Sequence, residues 1–132
     1  VYKRQEQSEE GELQAVEIEE DVLDGQISGS ALTPSVVRKM SRAFAGMSVT
    51  DAAIEELLLW YYEVVDEVGQ NIREHAQLGA NPAPFIDAID KMKDLMMLGW
   101  MRRMLVKAGE DAEERGYKRI DVEQLIHLDP FE

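Results

Sequence analysis

The residues best suited to acid–base or metal chemistry in this chain are His75 and His127 and a run of carboxylates, Glu63, Asp66, Glu67 and Glu74. Di-metal carboxylate sites in helical bundles use Glu-x-x-His, a spacing that sets both ligands on one helix face. Here Glu74 and His75 are adjacent, so that spacing is missing and the four carboxylates read as a solvated face. His75 lies close to helical register with Ile72 at the edge of an apolar stripe, as an interface side chain would. His127 falls near the C-terminal end of a short helix, where the dipole favours a cation without any catalytic role. The chain contains no Cys, which removes thiol chemistry and disulfides and makes a structural zinc site implausible with two histidines. Isolated glycines carry no phosphate-loop signal. The sequence therefore predicts no catalytic residue, no metal ligand set, no cofactor and no small-molecule substrate; the chain reads as a protein that is not an enzyme.

Phosphate contact is the other chemistry on offer. Arg38, Lys39 and Arg42 cluster on the exposed side of one helical segment, and Lys118 and Arg119 follow in a later link. Basic residues gathered on one face neutralise backbone phosphates without reading base sequence. Solubilising charge explains the same five residues equally simply. Against them, 27 Asp and Glu outnumber 14 Lys and Arg, for a net charge of −13, which opposes non-specific attraction to nucleic acid or to an anionic membrane.

The acidity is concentrated near the beginning. Residues 6–29 contain Glu6, Glu9, Glu10, Glu12, Glu17, Glu19, Glu20, Asp21 and Asp24 and no basic residue. Like charges repel, and Leu13, Val16, Ile18, Val22 and Leu23 are too sparse to offset the entropy of ordering, so residues 6–30 are expected to form a disordered acidic arm. Such an arm either solvates the chain or folds over a basic surface, its own or a partner's. Residues 1–5, VYKRQ, read as a translated sequencing adapter and are excluded from fold reasoning. Residues 31–132 then make one helical domain.

The elements that must position these groups follow from periodicity. Residues 48–78 form the organising helix: Ile54, Leu57, Leu58, Tyr61, Val64, Val65, Val68 and Ile72 recur at three- and four-residue steps and make one stripe. Thr50 caps it, Asp51 suits the positive end of its dipole, and Gly79 with the Asn81-Pro82-Ala83-Pro84 run stops it. Before it, Thr33 caps a helix of about eleven residues with Pro34 at its first position, and Gly46 ends it. After it, a second long helix is expected over 85–115, apolar on nearly every side around Met96 to Trp100, with Gly99 and Gly109 marking close packing or a kink. Residues 116–120 form an extended link, and Asp121 caps a last helix over 122–128. No apolar run reaches the roughly 18 residues of a membrane span, and no signal peptide opens the chain. The sequence reads as cytoplasmic.

Short helix, tight link, long helix, extended link and short helix together resemble a histone fold. TPSVVRKMSRAF is similar to a histone first helix, SVTDAAIEEL to the start of the central helix, REHAQLGA to its end, and GYKRIDVEQLI to the second loop and third helix. The resemblance is to archaeal histones and CBF/NF-Y-like proteins, with the 85–115 helix as an insertion. It implies an all-α, histone-like dimer, homo- or heterodimeric, intertwined through the central stripe of Ile54, Leu57, Leu58, Tyr61, Val64, Val65, Val68 and Ile72. It further implies that double-stranded DNA of chromatin type is held by Arg38, Lys39, Arg42, Lys118 and Arg119 at the paired loops and first-helix ends. In this sequence the first loop lacks an Arg, Tyr117 stands where the family has an Arg and Gln124 where that Arg has its Asp partner. An acidic helical adaptor that binds protein and never touches DNA is the alternative, and the Met-rich 85–115 helix suits it. Energetics require a cover for the stripe in either case. Burying its side chains contributes roughly 1.5 to 3 kcal/mol each, while ordering the helix costs about 1 to 2 kcal/mol per residue. A second chain or the 85–115 helix has to provide it.

Overall fold

The computed structural model describes residues 32–77 and 79–132; residues 1–5 and the acidic stretch 6–30 lie outside them. Of these residues 70% are helical and 4% are in strands, so the class is all-α. Helix α1, Pro34–Met40, starts where the Thr33 hydroxyl accepts the Val36 amide at 3.3 Å. It runs on into a π-helical turn, Ser41–Ala45, and closes at Gly46, whose φ of 74° suits a residue without a side chain. Ser41 is fully buried and donates its hydroxyl to the Met47 carbonyl at 2.7 Å, which fixes the chain's exit from that turn.

Strand β1, Ser48–Val49, occupies positions expected to open the long helix. Helix α2 itself is Asp51–Glu74, and the Thr50 hydroxyl accepts the Ala53 amide at 3.2 Å as its cap. A further correction concerns the single helix expected over 85–115. It is two helices, α3 at Ala83–Met96 and α4 at Gly99–Glu114, parted by a reverse turn at Met97 and Leu98. Strand β2, Arg119–Ile120, follows, and the final helix α5 is only Val122–Leu125, shorter than the 122–128 expected. The two strands pair in parallel, Ser48 opposite Arg119 and Val49 opposite Ile120.

The core lies where α4 runs between the other elements. Met101, Met104, Leu105, Ala108 and Ala112 of α4 are all fully buried, together with Val37, Leu57 and Ile120. Helix α4 packs on the π-helical turn, on β2 and on α5, while α3 packs along α2. In the α2–α3 pair, Tyr61 meets Leu95 and Gly69 meets Met92, so position rises on one helix as it falls on the other and the two are antiparallel. The central stripe is therefore covered within one chain. Ile54, Leu57, Val64 and Val68 are buried, and Leu58, Tyr61, Val65 and Ile72 pack half-buried on the same cluster. Of the two covers that the energetics demanded, the chain supplies its own. Among the described residues no helix is long and apolar enough to cross a membrane.

Candidate functional site

The paired loops bring together residues far apart in sequence. Thr50, at the start of α2, donates its hydroxyl to Asp121 at 2.8 Å, and its amide donates to the Ile120 carbonyl at 2.9 Å. Asp121 caps α5 by accepting the Val122 amide at 2.8 Å, and the Gln124 side-chain carbonyl accepts the Asp121 amide at 2.7 Å. The caps of two helices are thus bonded to each other, so neither helix can move without disturbing the other's first turn. The Val122 amide, then the Thr50 hydroxyl and the Arg119 charge, hold the Asp121 carboxyl below its ordinary value.

That shift has a sign for stability. A carboxyl whose folded value is depressed contributes stability that is complete above its unfolded value of about 4 and is lost as pH falls through the folded value. Urea titrations of the native protein and of Asp121→Asn are expected to differ at neutral pH and to converge in acid. A difference unchanged down through the acid range would refute the assignment.

Sequence-predicted basic residues reach this end unevenly. Arg38 pairs with Asp51 at 3.4 Å, and Arg119 lies 3.7 Å from Asp121. Loop pairing places Arg119 beside Ser48, three positions before Asp51, so both arginines stand at one end of the molecule, each facing a carboxylate. Lys118 is exposed in the same loop, Arg42 is exposed one turn beyond Arg38, and Lys39 is half-buried. An open cleft of about 390 Å³ lies here, lined by Ser48, Tyr117, Lys118, Arg119, Asp121, Glu123 and Gln124. Its lining carries two cations and two carboxylates, and it holds no histidine to take a proton from Ser48. His75 and His127 are both exposed, and His75 ends α2 rather than edging its stripe. Among the described residues no three potential ligands gather to hold a metal ion.

A second surface was not anticipated. Leu59, Tyr62, Met96 and Met97 are each more than half exposed, at 57%, 51%, 56% and 58%. Met96 and Met97 were expected inside the apolar stretch. There, Leu95, Leu98, Trp100 and Met101 are buried while the two methionines at the reverse turn are not. The Tyr61 hydroxyl donates to the Leu95 carbonyl at 3.4 Å across the α2–α3 seam, and its ring meets that of Tyr62 edge-on with centroids 5.6 Å apart. Burial, with Tyr62 adding, raises the Tyr61 hydroxyl above its ordinary value, which keeps it a donor. Successive residues turn in opposite senses on antiparallel helices, so Tyr62 and Met96, each one step past the contact pair, emerge on the same side of the seam. Leu59 continues the patch one turn back along α2. Its sequence signal was an off-stripe apolar pair, Leu59 and Tyr62, at a three-residue step.

The chain matches no protein-family model, no curated protein and no solved structure. Function has to come from these two surfaces.

Proposed function

We propose that this chain is a helical adaptor of the cytoplasm that binds another protein through the surface of Leu59, Tyr62, Met96 and Met97, without contacting DNA and without chemistry of its own. One observation carries the reading: four large apolar side chains, two of them flexible methionines and one a tyrosine, lie more than half exposed on α2, at the end of α3 and in the turn that follows it. A contiguous apolar patch costs free energy in water and marks an interaction surface when it persists, and Met and Tyr are residues that interfaces favour. The paired-loop end argues against DNA for the same chain, because Asp51, Asp121 and Glu123 sit among the basic residues. Photo-crosslinking from a probe at position 62 in cells is expected to give a discrete adduct with another polypeptide that Met96→Asp abolishes while leaving thermal unfolding unchanged. No adduct, or one indifferent to Met96→Asp, would refute the assignment.

A second reading has its own support. Arg38 and Arg119 share one end, next to the pairing of β1 with β2 within the chain. In that reading the chain is a homo- or heterodimer that contacts duplex DNA through Arg38, Lys39, Arg42, Lys118 and Arg119. Fluorescence anisotropy of a labelled duplex separates the two. The adaptor reading expects no saturable binding at low salt by the whole chain or by residues 30–132. Saturable binding that falls steeply with salt, strengthens without the acidic arm and weakens in Lys118→Ala with Arg42→Ala would establish the second reading instead.

A further inference from the structure

The reverse turn between α3 and α4 is held against local preference. Leu98, with φ 61° and ψ 21°, is the one non-glycine residue with positive φ among the described residues. A γ-branched residue reaches that region only where surrounding structure over-determines it. Its side chain is 8% exposed, so the core pins it there. At the next position a Cβ on Gly99 would overlap the Asp94 carboxylate, and that carboxylate receives two hydrogen bonds from Arg103, at 2.9 and 2.7 Å. The turn therefore needs a strained leucine, a glycine and an ion-pair clasp to stay closed. By sequence, helical spacing runs straight through it.

The turn also divides the fold cleanly. On one side stand α1, the π-helical turn, β1, α2 and α3; on the other stand α4, β2 and α5. Contacts between the halves are the core proper: Gly109 on Ala45, Trp100 beside Tyr61, β1 with β2 and Thr50 with Asp121. None of them requires both halves to belong to one chain.

We propose that two copies of this chain exchange halves: residues 97–99 straighten, α3 and α4 fuse into one helix over 83–114, and residues 99–132 of each copy seat on residues 32–96 of the other. The fused helix is about 48 Å long at the usual rise per residue. Every contact between halves away from the hinge re-forms across the pair. What changes is the hinge, where the strain at Leu98 and the Asp94–Arg103 clasp are exchanged for continuous helical hydrogen bonds. Domain exchange through a short strained hinge is a low-cost route to a dimer. The hinge shares Met97 with the docking surface proposed above, but the exchange does not rest on that reading.

The chain has no Cys, which makes a direct test available. The whole chain carrying Ser48→Cys and Arg119→Cys, positions that face each other in the strand pair, is refolded at millimolar concentration and oxidised. Its monomer and dimer fractions are separated by size-exclusion chromatography with light scattering. Exchange predicts that the dimer fraction runs as a covalent dimer on a non-reducing gel and the monomer fraction as an internally linked monomer. Gly99→Ala, which forces Asp94 off the turn and favours continuous helix, is expected to tighten the dimer roughly tenfold. Inserting Gly-Gly between Met97 and Leu98, which relaxes the turn, is expected to loosen it by a comparable factor and decides the matter if Gly99→Ala does not fold. A dimer whose disulfides all lie within single chains overturns the proposal. So does a protein that stays monomeric at every concentration, or an insertion that leaves the dimer share unchanged.

Discussion

Replacing Trp100 by alanine is expected to cost about 3 to 5 kcal/mol of folding stability, the largest effect of any single truncation here. Trp100 is 3% exposed, its ring lies 6.0 Å from that of Tyr61, and its indole N–H donates to the Pro130 carbonyl at 2.7 Å. One side chain thus ties α4 to α2 and to the segment after α5. Truncation opens a cavity at that junction and frees the end of the chain. A single domain has only about 5 to 15 kcal/mol in total, so melting should fall by more than about 10 °C. Trp100→Phe keeps a six-membered aromatic ring but loses three ring atoms, the N–H among them, so a smaller loss of about 1 to 3 kcal/mol is expected. Urea unfolding followed by circular dichroism measures both. An alanine variant that melts within a few degrees of the native protein would mean that the junction repacks.

The helices were legible in the sequence wherever a local signal is also the structural cause. Thr33 and Thr50 cap the helices they were expected to cap, Pro34 and Gly46 bound the first helix, and Asp121 starts the last one. Failures came where tertiary structure overrode a local preference. In KMKDLMMLGW only Gly99 points to a break, as close packing or a kink, and the full reverse turn is not announced, because Leu98 adopts its left-handed conformation to bury its side chain, at 8% exposure, and not through any turn propensity of its own. Strand β1 was read as helix since Ser48 and Val49 find their partners at Arg119 and Ile120, seventy-one positions on. Pairing over such a distance leaves no periodic trace. The same limit hid the Thr50–Asp121 bond that joins two caps.

The candidate surfaces follow the same division. Each basic residue was visible in the sequence as a cation, but the carboxylates that answer Arg38 and Arg119 come from the starts of other elements, Asp51 and Asp121. Only the fold sets them together. A surface read as positive from residue types thereby carries Asp51, Asp121 and Glu123 among its five cations, which weakens its pull on phosphate and leaves the apolar patch as the clearer candidate. Helix α3 matters there twice. It covers the stripe of α2 from Tyr61 to Ile72, and it ends on the two methionines that extend the patch past Tyr62.

Gly109→Val is expected to cost about 2 to 3 kcal/mol, comparable to losing a core side chain, although it adds atoms instead of removing them. A Cβ at Gly109 would lie 3.0 Å from the Ala45 Cβ and 3.5 Å from the Ala45 carbonyl, so α4 and the π-helical turn approach as closely as a glycine permits. Ala45 has little room to retreat. Behind it Gly46 turns at φ 74°, and the Ser41 hydroxyl holds the Met47 carbonyl at 2.7 Å, which fixes the turn on both sides. The strain must then move α4. Since α4 packs on β2, pushing it outward loosens the pairing of Val49 with Ile120 and the bond from the Thr50 amide to the Ile120 carbonyl. Gly109→Ala adds one methyl where helix propensity gains up to about 1 kcal/mol over glycine, so that variant should lie near the native stability. Amide hydrogen exchange distinguishes this chain of effects from general loosening. In Gly109→Val, protection at Thr50 should fall further than protection in the middle of α2, where Tyr61 still bonds Leu95. Equal losses at both places would show that the close approach at Ala45 does not govern the loop pairing.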